Sequence, residues 1–217
     1  MTMLGQTLPT WNINDFAGIS PRTLDVHINM LHAGYINKLN REFGGTGLLE
    51  LPPSEVLRNL RSYLEPENQE FYRNNMGGNV AHTLFWQIIS PKPKKLKRNS
   101  ALKKHFNLNE NAVISAVKEE GMARFGSGWV WGVLRNGNEF DIYSTQNHDT
   151  PYMRRHIPLF CVDVWEHAYF LDDYGDRSQW LDIITNYLDF DAINAIYESV
   201  AFAGIDMVDA WVLNSYP

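Results

Sequence analysis

The sequence predicts an α+β protein: an N-terminal antiparallel hairpin of long helices, residues 1–91, followed by a C-terminal α/β domain, residues 92–217, with a three-stranded antiparallel sheet. Three observations predict it. Helix start signals and apolar residues spaced three to four apart fill the first half, and β-rich runs flanking an Asn-Gly pair occupy the second. A stretch rich in proline and lysine separates the two.

The first helix starts at Ser20, an N-cap, with Pro21 at the first helical position, and continues through Leu24, His27, Leu31 and Tyr35 toward Asn40. Those four residues lie on adjoining parts of one face. Gly44 to Pro53 reads as loop, Ser54 to Leu64 as a short helix, and Asn68 to Ile89 as a long helix interrupted only by Gly77-Gly78. Pro91 to Arg98 combines helix breakers with five basic residues, as an exposed linker does, and sets the domain boundary. Short helices are expected near Ala101 to Phe106 and from an Asn109 cap to about Glu120. Strands follow at Trp129 to Leu134 and Glu139 to Ser144, joined through the hairpin signal Asn136-Gly137, and a third at Ile157 to Asp163. Helices at about Gln179 to Leu188 and Asp191 to Val200 come last, and Gly204 to Pro217 carry no signal.

With 217 residues, 44% of them hydrophobic and 20% charged, the chain can bury a core without disulfide staples. Its one cysteine, Cys161, lies in the apolar run Leu159-Phe160-Cys161-Val162 and reads as a small buried hydrophobe, which suits a reducing compartment. No stretch reaches the ~18 apolar residues of a membrane span, and Met1 to Pro9 lack the pattern of a cleaved leader, so a soluble cytoplasmic protein is expected, without a membrane partner. A net charge of −6 argues against nucleic acid as a partner, because phosphate binding needs an electropositive face. The aromatic content, 13% with seven Trp, exceeds what a core needs and points to an enclosed site or a flat interface.

Asp163-Val164-Trp165-Glu166-His167 sets a carboxylate and an imidazole four apart where an apolar strand stops. Alone, that pair is more often structural than metal-binding. His27 on the first helix and His82 on the second each read singly as a satisfied core histidine. Together the three segments present N and O donors from apolar settings, and burying so many polar groups is costly unless they satisfy one another. A first-row ion such as Mn, Fe, Co or Zn would do that.

On these residues the chain resembles the iron/manganese superoxide dismutases. Asp163-Val164-Trp165-Glu166-His167-Ala168-Tyr169 is similar to the family signature, and Asn74-Asn75-Met76-Gly77-Gly78 followed by His82-Thr83-Leu84-Phe85-Trp86 to its second-helix ligand segment. Val26-His27 with Tyr35 eight residues on, Phe125 to Trp131, and Ser144 to Asp149 resemble the remaining site segments. The resemblance implies His27, His82, Asp163 and His167 as ligands of one Mn or Fe ion per subunit, Mn the favoured of the two, with one solvent as fifth ligand. It implies disproportionation of superoxide to oxygen and hydrogen peroxide as the metal cycles between +3 and +2. Tyr35 would stand in the proton path, Trp86, Trp129, Trp131 and Trp165 would wall the pocket, and Glu166 would reach His167 of a second subunit in a homodimer, or a tetramer of two such dimers. Arg177 would help draw the anion inward.

The chain also departs from the family pattern. Where manganese forms commonly carry Gln at the strand end, this chain has His148, and where iron forms commonly supply Gln from the second helix it has Gly78. Gly78 leaves room for a side chain from the sheet side, so His148 is expected to replace the Gln. At the gateway, a His and a Tyr are replaced by Leu31 and Phe170, which implies a more apolar entrance. Two other readings use the same residues. A zinc-type hydrolase would want a general acid or base beside the open position, and a non-catalytic interaction protein on this scaffold would be expected to have lost ligands.

Overall fold

The computed structural model describes residues 3–6 and 8–203. The uninformative tail, residues 204–217, lies outside the described residues. The order is the α+β one expected: long helices, then a three-stranded sheet with its covering helices.

The first helix begins as predicted. Ser20 caps α1 (Pro21–Asp25), its hydroxyl accepting the Thr23 N–H at 3.1 Å, with Pro21 at the first position, where no N–H is needed. It then widens into a π-helical segment, Val26–His32, before resuming as α2 (Ala33–Phe43), three residues past the expected end. Steady three-to-four spacing does not anticipate that segment. Each π turn takes up an extra residue and rotates the succeeding residues relative to an α-helix, so His32 comes inward to full burial while Leu31 is only half-buried.

The expected short helix is two turns, α3 (Pro53–Arg58) and α4 (Leu60–Tyr63), broken at Asn59. Next, α5 (Pro66–Ile88) runs 23 residues straight through Gly77 and Gly78, which are helical. It packs antiparallel against α2, giving the expected hairpin.

The basic stretch 91–98 is irregular and its cations are exposed, yet it is strapped down. Leu96 is buried, Phe190 N–H donates to Lys94 O (2.9 Å), and Lys97 Nζ meets Asp191 at 2.9 Å. Then come α6 (Ala101–Phe106), capped by Ser100, and α7 (Glu110–Ala123), capped by Asn109.

The sheet has the order β2-β1-β3, antiparallel throughout, from β1 (Gly128–Arg135), β2 (Glu139–Gln146) and β3 (Ile157–Asp163). The β1–β2 turn places Asn136 (φ 49°) and Gly137 (φ 76°) in the left-handed region that a tight hairpin demands, closed by Asn138 N–H to Arg135 O at 3.1 Å. β3 is an edge strand but almost wholly buried, because α5 and a later helix cover it, and so its sequence is apolar without alternation. Register pairs Trp129 with Asp163, bringing an indole and a carboxylate to one end of the sheet. Helices α8 (Phe170–Asp173), α9 (Arg177–Ile184) and α10 (Phe190–Ala203) complete the described chain. One buried apolar cluster runs from Leu24 and Phe85 of the helices to Trp129 and Val162 of the sheet. No described helix is long and apolar enough to cross a membrane.

Candidate metal centre

The π segment, the middle of α5, the end of β3 and the 3-10 turn Glu166–Ala168 meet at one point. There the Nε2 atoms of His27, His82 and His167 lie 3.1, 3.8 and 3.1 Å from Asp163 Oδ2. One donor atom from each of the four residues falls within 4.8 Å of every other. The three separations from Asp163 are those of donors about 2.1 Å from a common centre at angles of roughly 95° to 130°. His27, His82 and Asp163 are buried, and the His167 side chain is one-fifth exposed.

The donor chemistry also fits a cation. His82 Nδ1 donates to Gly78 O at 2.7 Å, which fixes its proton there and leaves a lone pair on Nε2. That buried Nε2, like His27 Nε2, has no hydrogen-bond partner among the described residues. Leaving such atoms unsatisfied costs about 1–3 kcal/mol each, and a metal ion would satisfy both. Burial lowers the pKa of His27 and drives that of His82 well down, so both are neutral donors. Burial alone would push Asp163 up, but the His167 imidazole, 3.1 Å from its Oδ2, chiefly outweighs it, and the carboxyl stays well below its usual range. Its Oδ1 accepts the Trp165 N–H at 2.8 Å.

Around the cluster, Trp86 stands 4.8 Å from the His27 ring, Trp129 4.9 Å from His82, and Trp165 5.5 Å from His167. Trp131 differs from expectation. It packs behind Trp129, centroids 6.1 Å apart, and its indole donates to Thr145 Oγ1, so it backs the wall rather than forming it.

His148 is buried and turned inward. Trp129 Nε1–H donates to its Nδ1 (3.1 Å), and an indole can only donate, so the ring proton sits on Nε2. Nε2–H then donates to the Tyr35 hydroxyl at 2.7 Å, leaving the hydroxyl hydrogen for another acceptor. Burial lowers the His148 pKa to about 4, consistent with a neutral ring. Along this edge an imidazole offers one acceptor and one donor, as a primary amide does, but an amide keeps a second N–H that His148 lacks.

The space for His148 comes from a neighbouring glycine. A Cβ on Gly78 would stand 3.0 Å from the Tyr35 ring, so Gly78 seats Tyr35. Gly77 is the one pressed against residue 148: a Cβ there would lie 2.0 Å from the His148 carbonyl oxygen. Arg177 also differs from expectation. Its guanidinium donates to the carbonyls of Gly121, Arg124 and Gly126 and to the Tyr169 hydroxyl, so it clamps the turn entering β1 and does not face the cluster.

Some site residues escaped the sequence reading. His32 is fully buried behind His82, and Asn79 and Thr83 face it from α5. Asn75, Asn79 and Thr83 form a polar stripe at four-residue spacing on a buried helix, a signal that something polar must answer it. Arg73 forks onto Asp149 through two 2.6 Å bonds, pinning the segment beside His148 to α5.

Two family models match this chain: the alpha-hairpin domain of iron/manganese superoxide dismutases over residues 10–90, and their C-terminal domain over residues 93–196. The chain belongs to the iron/manganese superoxide dismutases. Membership makes it, at family level, one of a group of metal-binding oxidoreductases that act on superoxide with Mn or Fe, and the His-His-Asp-His cluster could hold such an ion.

Proposed function

We propose that the protein is an active superoxide dismutase that holds one Mn or Fe ion on His27, His82, Asp163 and His167 and disproportionates superoxide to oxygen and hydrogen peroxide. The observation that carries this reading is the convergence of three imidazole nitrogens on one buried carboxylate oxygen, two of them with no hydrogen-bond partner among the described residues. The ion, when bound, supplies one-electron chemistry by alternating between +3 and +2.

The chain's own residues supply the rest. Burial, with the Asp163 charge behind it, raises the Tyr35 pKa, so its hydroxyl keeps its proton at neutral pH. Receiving the His148 N–H, that hydroxyl holds a proton at its oxygen, next to where the substrate must acquire two. Trp86, Trp129 and Trp165 keep the pocket dry and narrow, which strengthens charge interactions within it. A cleft of about 630 Å³, bordered by Tyr35, His148 and Trp165, leads in from the surface; Glu70 and Asp149 line it as well as Lys38, Arg41 and Arg73, and since Asp149 takes up the Arg73 charge, Lys38 and Arg41 carry what attraction it has for a small anion.

Metal-free protein reconstituted with Mn or with Fe is expected to consume superoxide, and the zinc-loaded form is not. Activity restored by zinc alone would overturn the redox reading. His148→Gln adds the second N–H, so its Mn-to-Fe activity ratio or its pH profile is expected to change. A variant identical to wild type on both counts would remove His148 from the machinery.

The same reading makes the protein a homodimer. Glu166 is exposed, the adjacent His167 has no partner for Nδ1 among the described residues, and a second copy's Glu166 would supply one. Phe125 is 97% and Phe170 52% exposed, and the Arg177 clamp holds Phe125 near the Tyr169–Phe170 segment, which gives such an interface its apolar part. A sedimentation mass of one chain would exclude the dimer.

A further inference from the structure

Residues 4–6, ahead of the first helix, lie against the π turn that carries His27. Leu4 is anchored at its start: its N–H donates to Asn40 Oδ1 (2.6 Å), Asn40 Nδ2 donates back to Leu4 O (2.8 Å), and the side chain is buried. Two residues on, the Gln6 amide reaches two groups of one segment with its two N–H bonds. It donates to Ile28 O at 2.7 Å and to His32 Nδ1 at 3.3 Å.

Each recipient already has one donor, and the Gln6 amide adds a second. Ile28 O belongs to the wide turn, where its helical partner is the Ala33 N–H, five residues on. His32 Nδ1 also accepts from Trp86 Nε1 (3.2 Å), so the ring proton is on Nε2 and goes to Asn79 Oδ1 at 2.9 Å. The imidazole thus held lies against His82, centroids 5.3 Å apart and planes 15° from parallel. From one amide, contacts therefore run to His27 through the π-turn backbone and to His82 through a ring face.

We infer that Gln6 is a positioning residue for the metal centre: its amide braces the π turn and the His32 ring, and so sets where the His27 and His82 nitrogens stand around a bound ion. The inference rests on the metal reading and adds to it a part for the N-terminal strap.

Gln6→Met keeps the length of the side chain and removes both donors. Amide exchange over residues 26–32, read on the metal-free chain, is expected to speed up. With Co²⁺ as the probe, the visible absorption bands of the variant should shift, and release to a chelator should quicken by about tenfold, the low end of what is lost when groups supporting metal ligands are removed. Asn40→Ala frees the other end of the strap without touching the π turn, and its cobalt spectrum should match wild type. Unchanged exchange in Gln6→Met overturns the inference whatever the metal does, as does a wild-type cobalt spectrum in that variant, or an equal spectral shift in Asn40→Ala. A wild-type chain that takes up no Co²⁺ would instead overturn the metal reading, leaving amide exchange as the measure of the brace.

Discussion

His82→Ala is expected to yield a folded chain with less than a tenth of the wild-type metal content and superoxide consumption reduced by at least about 100-fold. The expectation comes from how His82 is held. Its Nδ1 is committed to Gly78 O, so the nitrogen aimed at Asp163 is an acceptor only, buried and without a hydrogen to donate. In the metal-free protein that unsatisfied nitrogen costs about 1–3 kcal/mol, whereas as a ligand it would be satisfied by the ion. Losing it leaves three donors and a cavity where the ring stood. The fold should survive, because the deleted ring makes no hydrogen bond to the sheet and α5 remains anchored along 23 residues. Two measurements check this: metal per subunit by elemental analysis, and the melting temperature with and without Mn. Wild type should melt higher with metal, since a ligand that binds only the folded state stabilises it, and the variant should not respond. Full activity in His82→Ala would mean that the ion sits elsewhere.

What the sequence makes legible here is chemistry held at fixed spacing. Asp163 and His167 stand four apart at the end of an apolar strand, and His82 precedes Trp86 by one helical turn, so their positions depend on local periodicity alone. The hairpin turn was legible for the same reason, Asn136-Gly137 being a local signal with a defined backbone requirement. What stayed hidden depends on contacts between remote segments. The π turn brings His32 inward, and no local pattern distinguishes His32 from a surface residue one position past Leu31. The roles of Gly77 and Gly78 could not be divided from sequence, since the division depends on how the 147–149 segment crosses α5. Arg177 looked like a cation for a substrate because its four acceptors come from residues 121, 124, 126 and 169, three of them more than fifty positions away. Packing between segments, not composition, assigns such residues their work.

Gly77→Ala is the substitution expected to cost the most stability while changing the least chemistry. In an isolated helix it would help, since alanine is favoured over glycine by about 1 kcal/mol. Here the added methyl would lie 2.0 Å from the His148 carbonyl oxygen and 3.1 Å from its carbon, and a backbone oxygen cannot rotate aside as a side chain can. The 147–149 segment would have to withdraw by about 1 Å or more to reach ordinary contact. Three restraints resist that: the fork of Arg73 on Asp149, Thr145 Oγ1 donating to Asp149 O at 2.6 Å, and Trp165 Nε1 donating to Asn147 O at 3.2 Å. Overpacking of this kind costs about 1–3 kcal/mol, and the stiff restraints argue for the upper end, so the urea midpoint should fall clearly and the melting temperature by about 5–10 °C. Any withdrawal also draws His148 away from Tyr35 and Trp129, so the surviving folded fraction should lose activity beyond what its stability explains. Gly78→Ala is the matched comparison. The atoms nearest its methyl would be those of the Tyr35 ring, at 3.0 Å, and a half-buried ring can swing outward. It should therefore cost less stability than Gly77→Ala while still disturbing the Tyr35 hydroxyl. If the two variants melted at the same temperature, the close approach of residue 148 to α5 would not be what this position requires of glycine.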